Sequence, residues 1–133
     1  MLLVHPGGPF WKKRDEGAWS IPKGEIEPGE EPVDVARREF SEELGVAAPD
    51  GEMESLGVVR QAGGKLVRAW AVAAEFDVSR LQSMTFDMEW PPRSGRMQAF
   101  PEVDRAEWFD LDTAREKINP AQAVFLDRLA EHA

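Results

Sequence analysis

The stretch from Pro32 to Gly45, Pro-Val-Asp-Val-Ala-Arg-Arg-Glu-Phe-Ser-Glu-Glu-Leu-Gly, narrows the fold more than any other part of the chain. Proline at a first helical position gives up only an amide that has no partner there, and glycine ends a helix readily. The spacing therefore predicts a helix from Pro32 to about Leu44. At about 100° per residue, Val33, Ala36, Phe40 and Leu44 fall within roughly 80° of one another. A helix with one such stripe needs a layer to lie against.

The flanking segments supply that layer. Leu2-Leu3-Val4 reads as a short buried strand ending at the loop Pro6-Gly7-Gly8-Pro9. Lys12-Lys13-Arg14-Asp15-Glu16-Gly17 reads as a turn, and Trp19-Ser20-Ile21 as a brief strand stopped by Pro22-Lys23-Gly24. After the helix, strands are expected over Ser55–Arg60, Leu66–Phe76 and Ser83–Trp90, then a rigid loop, Pro91-Pro92-Arg93-Ser94-Gly95, and a last short strand, Glu107-Trp108-Phe109. Asp110 caps a short helix through Ile118, and Pro120 opens a final one carrying Val124, Phe125, Leu126 and Leu129. Strands around one helix, followed by helices, make an α/β layered domain, and residues 1–133 fit one such domain.

Charge excludes several functions. The formal net charge of −9 repels a nucleic-acid backbone, so no nucleic-acid partner is expected. No apolar run approaches the roughly 20 residues that a spanning helix needs, so no membrane role is expected either. The start, Met1-Leu2-Leu3-Val4-His5-Pro6, has neither the basic region nor the cleavage site of a signal peptide. With no cysteine, a cytoplasmic location is the natural reading.

Three carboxylates stand out. Glu39, Glu42 and Glu43 share one flank of the helix and sit towards its carboxy end, where the helix dipole disfavours them. Glu39 and Glu43 are neighbours of like charge. Arg38 reaches Glu42 at the four-residue spacing, but one arginine does not neutralise three carboxylates. A solvated acidic helix accounts for them; so does a site for a hard divalent cation, since magnesium prefers oxygen ligands of this kind.

The loop upstream separates these readings. Gly24, Glu30, Arg38-Glu39, Glu42-Glu43 and Gly45-Val46, with Phe40 and Val46 in the apolar slots, match the Nudix box at every position. The chain thus resembles the Nudix hydrolases. That resemblance implies an α/β/α sandwich around a mixed β-sheet and hydrolysis of a diphosphate bond by a metal-activated water. It assigns the metal, Mg2+ or Mn2+, to Glu39, Glu42 and Glu43, with Glu42 and Glu43 catalytic. Glu30 and Arg38 would brace loop and helix, and Gly24 would permit a tight turn. The general base is a box glutamate or a later acid; Glu102, expected on a loop after the last long strand, is the preferred late acid, with Asp104 and Glu107 as alternatives.

The lead-in Trp19-Ser20-Ile21-Pro22-Lys23-Gly24-Glu25 resembles that of hydrolases acting on dinucleoside polyphosphates or diphosphoinositol polyphosphates, with Lys23 and Gly24 at the substrate. The partner is then a small-molecule nucleotide or polyphosphate. The tyrosine frequent downstream in the dinucleoside polyphosphate enzymes has no counterpart, since the chain contains no tyrosine. Lys12-Lys13-Arg14 reads either as a solvated turn or as a contact for a polyphosphate tail. Trp90 reads either as core or as a stacking surface, and His5 and His132 carry no metal-ligand spacing. The usual first strand of the family has no counterpart before Leu2-Leu3-Val4. A late start, trimming or a strand from a partner would each explain this, and an open sheet edge points to a homodimer. The rival function is a non-catalytic nucleotide-sensing module; such modules commonly lose box carboxylates, and here all are kept.

Overall fold

The helix expected from Pro32 forms as α1 (Pro32–Leu44), with the proline in its first turn. In this computed structural model, which describes residues 1–23, 29–61 and 64–132, Gly45 ends the helix in the left-handed region at φ 77°. Its N–H bonds back to the Ser41 carbonyl at 2.8 Å. The chain returns to this point from far away: the Gln82 N–H donates to the Leu44 carbonyl at 3.1 Å and the Met84 N–H to the Glu42 carbonyl at 3.0 Å. Residues 82–84 thus satisfy carbonyls that the end of a helix leaves without partners.

Six strands follow the chain: β1 (Leu2–Pro6), β2 (Glu54–Arg60), β3 (Leu66–Ala71), β4 (Thr85–Glu89), β5 (Met97–Pro101) and β6 (Val103–Trp108). Two further helices, α2 (Leu111–Lys117) and α3 (Ala123–His132), close it. β1 pairs antiparallel with β6, placing Leu2 opposite Trp108 and Val4 opposite Ala106. On its other side Val4 and Ser20 exchange two backbone bonds of 2.8 and 2.9 Å, and Trp19 then bridges in parallel to Ile118.

Successive side chains of a strand face opposite ways, and β1 uses both faces. Leu3 packs with Trp19, Ala114, Ile118 and Leu126 on the side of α2 and α3. Val4 packs with Leu44, Val103 and Ala106 on the side of α1. Helix, strand layer and helices are stacked in that order, which is the expected α/β layering. A third cluster, Leu56, Val59, Ala69 and Phe125, joins the β2–β3 ribbon to α3.

Strand pairing differs from one continuous sheet. Among the described residues the ladders form three antiparallel ribbons, β1–β6, β2–β3 and β4–β5. An apolar cavity of about 260 Å³, lined by Met1 and Leu2 on one side and Ala69, Trp70 and Ala71 on the other, lies between β1 and β3, and no ladder joins these two strands among the described residues. β3 also stops at Ala71 instead of reaching Phe76, whose ring packs edge-on against Phe40 at 6.2 Å. β5 was not expected, because Met97, Gln98 and Ala99 are exposed and show no alternation; it forms by hairpin pairing to β4 across the Pro91–Gly95 turn. β6 starts at Val103, well before the expected Glu107, since only Val103 and Ala106 are buried along it.

Gly45 is required twice over, by its positive φ and because a Cβ there would meet the Gln82 carbonyl oxygen at 2.3 Å. Gly45→Ala is expected to lose on the order of 2 to 4 kcal/mol in urea denaturation. An unchanged midpoint would show that residues 82–84 do not bear on this helix end.

Candidate active site

Val35, only 3% exposed, lies on the same side of α1 as Glu39 and Glu42 when positions are spaced at about 100°. The glutamate flank is partly covered, with Glu39 at 13% and Glu42 at 31% side-chain exposure. Within it the side chains divide. The Arg38 guanidinium grips Glu30 with two bonds of 3.1 Å each, from Nε and Nη2. Its Nη1 lies 3.2 Å from Glu39 and 3.3 Å from Glu42. The bonds to Glu30, ahead of those to Glu42, raise the Arg38 pKa above its ordinary value, so this side chain is a fixed positive charge tying the loop before α1 to the helix.

Glu43 points elsewhere. Its carboxylate accepts a bond from the Lys23 backbone N–H, and its Oε2 is buried with no hydrogen-bond partner among the described residues. Burial, reinforced by the charges of Glu39 and Glu102 against the opposing Lys23 contacts, pushes its pKa up to about 8. Glu39, 13% exposed, is also shifted upward, by burial first and then by Glu42; Glu102 and Glu30 add to the rise and Arg38 opposes it.

Glu102 joins this group through the backbone. It occupies the bend between β5 and β6, a tighter position than the loop after the last long strand that the sequence suggests. The Glu102 N–H donates to the Met84 carbonyl at 2.8 Å, and the Met84 N–H donates to the Glu42 carbonyl. The Gly7 N–H bonds the Glu102 carbonyl at 3.0 Å from the other side. The side chain is exposed, and both Glu39 and Glu43 feel its charge. Of the two alternatives, Asp104 is engaged by His5 and Glu107 lies opposite Leu3 towards the far end of β6.

Lys23 is exposed at the mouth of this group, whereas Gly24 and the rest of residues 24–28 lie outside the described residues. Two supporting residues escaped sequence reasoning. His5 is fully buried, with Nδ1 2.7 Å from Asp104 and Nε2 2.6 Å from the Arg14 carbonyl, so it fastens the loop after β1 to β6. Gln122, also fully buried, accepts from the Ile21 N–H at 3.1 Å and bonds Ser20 and Gln61, fixing the segment that leads to Lys23. His5 had a signal in its place within a buried strand; a glutamine before the last helix had none. The side chain of His132 is outside the described residues.

The donors suit a hard cation in type: carboxylate oxygens, two of the carboxyls shifted upward, and one buried oxygen with no partner among the described residues. They are not gathered, however. No three acid or imidazole side chains among the described residues converge closely enough to hold a metal, because Arg38 draws Glu39 and Glu42 while Glu43 faces Lys23.

With fold and site in view, the comparisons define the class. Residues 1–129 match the NUDIX domain model, and the chain belongs to that family. It is a Nudix hydrolase domain in the general sense. The crystal structure of a C. elegans Ap4A hydrolase binary complex superposes with a TM-score of 0.68 at 18% identity, covering 98% of this chain and 84% of that one. The solution structure of the E. coli ORF135 protein gives a TM-score of 0.58 at 25% identity, covering 98% and 79%. Comparison with curated protein sequences gives no match.

A carboxyl whose folded pKa lies above its unfolded one holds its proton more tightly when folded. Glu43 therefore has no effect on stability below about pH 4.5, opposes folding increasingly as pH rises towards about 8, and opposes it fully above that. In metal-free buffer Glu43→Gln is expected to be more stable than wild type by on the order of 2 kcal/mol at pH 8.5 or so, with the difference gone near pH 4. Denaturation curves at both pH values give the test, and a pH-independent difference would remove Glu43 as the buried acid.

Proposed function

We propose that this domain hydrolyses a phosphoanhydride of a dinucleoside polyphosphate or similar polyphosphate-linked nucleotide, using Mg2+ or Mn2+ held by Glu39, Glu42 and Glu43. The observation that carries this is the buried Glu43 oxygen with no hydrogen-bond partner among the described residues, on a helix flank already crowded with carboxylates. Leaving such an oxygen unsatisfied is costly, and a cation is the ligand that would remove the cost.

Such an ion, when bound, polarises phosphoryl oxygens and makes water acidic. The residues do the rest. Glu43, held by the Lys23 N–H, keeps one buried oxygen with no hydrogen-bond partner among the described residues. Glu39 and Glu42 would hold the ion together with Glu43 only on leaving the Arg38 Nη1, while the two bonds from Arg38 to Glu30 are separate from that contact. Glu102, exposed and free of a side-chain partner among the described residues, takes the proton from the attacking water as general base. Lys23 offers a point charge to a substrate phosphate. The likeness of fold to a protein that is an Ap4A hydrolase is in line with the choice of substrate, and so is the Pro22-Lys23-Gly24 lead-in.

Product analysis on diadenosine tetraphosphate, nucleoside triphosphates and ADP-ribose, with magnesium and with excess EDTA, tests the reading. Turnover is expected to require the metal and to favour diadenosine tetraphosphate over ADP-ribose. Glu42→Gln and Glu43→Gln should each lose on the order of 10²-fold in kcat, while Glu31→Gln, outside the ligand set, stays near wild type. Full turnover in EDTA, or wild-type rates in both glutamine variants, would overturn the assignment. Nucleotide binding without turnover would favour the sensing module.

A further inference from the structure

Two segments far apart in sequence meet beside the candidate site. The loop Gly7–Arg14 turns twice, through Trp11 N–H to Gly8 and Arg14 N–H to Trp11, and leaves Phe10 62% and Trp11 38% exposed. The Phe10 ring lies edge-on to Trp90 at 5.5 Å, and the Arg14 guanidinium stands 5.5 Å over Trp11. Trp90 is anchored at the end of the β4–β5 hairpin: its N–H bonds the Arg96 carbonyl at 2.9 Å and its carbonyl accepts from the Gln98 amide at 2.8 Å. The hairpin turn therefore sets Arg93 and Arg96 beside Trp90, and the loop sets Lys12 and Lys13 beside Phe10.

The clustering of charge is uneven for an acidic chain. Five of its 16 lysines and arginines fall in these two short segments, although the net charge is −9. Lys12, Lys13, Arg93 and Arg96 are exposed and form no ion pair among the described residues. Acids are present as well: Glu16 and Glu89 are exposed nearby in sequence, while Asp15 is taken up by Lys117 and Trp19. A solvated turn would account for the lysines. It gives no reason for two exposed aromatic rings among them, and stacking rings flanked by cations are what a base with its phosphates binds.

We propose that this surface is a second substrate contact, taking the distal nucleotide of a dinucleoside polyphosphate: the base against Phe10, Trp11 and Trp90, its phosphates against Lys12, Lys13, Arg93 and Arg96. The placement suits this. Gly7 bonds the Glu102 carbonyl, and Phe10, three residues on, lies within about 11 Å of Gly7. A polyphosphate bridge would run from the carboxylates, past the β5–β6 bend, to the aromatic surface. The inference rests on the hydrolase reading above and adds the part of the substrate that reading leaves unplaced.

The test compares wild type with two variants, Lys12→Gln/Lys13→Gln/Arg96→Gln and Phe10→Ala, each checked for folding by circular dichroism. Steady-state kinetics on diadenosine tetraphosphate and on ATP are run beside tryptophan-fluorescence titrations with diadenosine tetraphosphate in magnesium-free buffer. The expected result is a KM for diadenosine tetraphosphate raised about tenfold, with its kcat and both ATP constants within about twofold, and a matching loss in the titration. Unchanged KM and titration in variants of an active enzyme would overturn this surface and leave the hydrolase reading intact. Equal losses on both substrates would also overturn it. If wild type cleaves no nucleotide yet its fluorescence titrates and the variants do not, the surface stands and the hydrolase reading falls.

Discussion

The two backbone bonds from residues 82–84 to the last carbonyls of α1 are what the geometry of the candidate site depends on. They fix Met84, whose carbonyl in turn receives Glu102, and Glu102 receives Gly7. One short relay thus aligns the carboxy end of the helix, the β5–β6 bend and the loop after β1. Gly45 makes the relay possible, since any side chain there would collide with the Gln82 carbonyl. Ser83 adds to it by accepting from the Val103 N–H at 3.0 Å through its hydroxyl.

Electrostatics sets that end apart from the rest of the scaffold. Three glutamates occupy the half of α1 where the dipole is unfavourable, and no basic residue stands in its last turn. Arg38 covers two of them through Nη1 and commits Nε and Nη2 to Glu30. The third, Glu43, is buried against an upward-shifted carboxyl. A stable protein tolerates few such groups, and those it keeps tend to cluster where chemistry happens. The basic, aromatic surface at Phe10 and Trp90 gives this acidic site a partner of opposite sign.

Much of this was legible in the sequence, for identifiable reasons. Pro32 and Gly45 bound α1 at the expected residues because their backbone restrictions act locally. Asp110 caps α2 through the Thr113 N–H at 2.7 Å, again a local effect. The crowding of Glu39, Glu42 and Glu43 followed from helical spacing alone. What the sequence hid depends on distant partners. β5 has no buried alternation and exists because β4 pairs with it; β6 has only Val103 and Ala106 inside. The division of Glu39 and Glu42 from Glu43 could not be read either, since it turns on where Arg38 and Lys23 reach.

The central claim is that a divalent ion is bound by a carboxyl that the metal-free protein keeps protonated. Titration calorimetry of Mn2+ binding near pH 7, in two buffers of different ionisation enthalpy, measures the protons released. About one proton per ion is expected for wild type and close to none for Glu43→Gln. Saturable binding with no proton release in wild type, or with the same release in both proteins, would contradict the account.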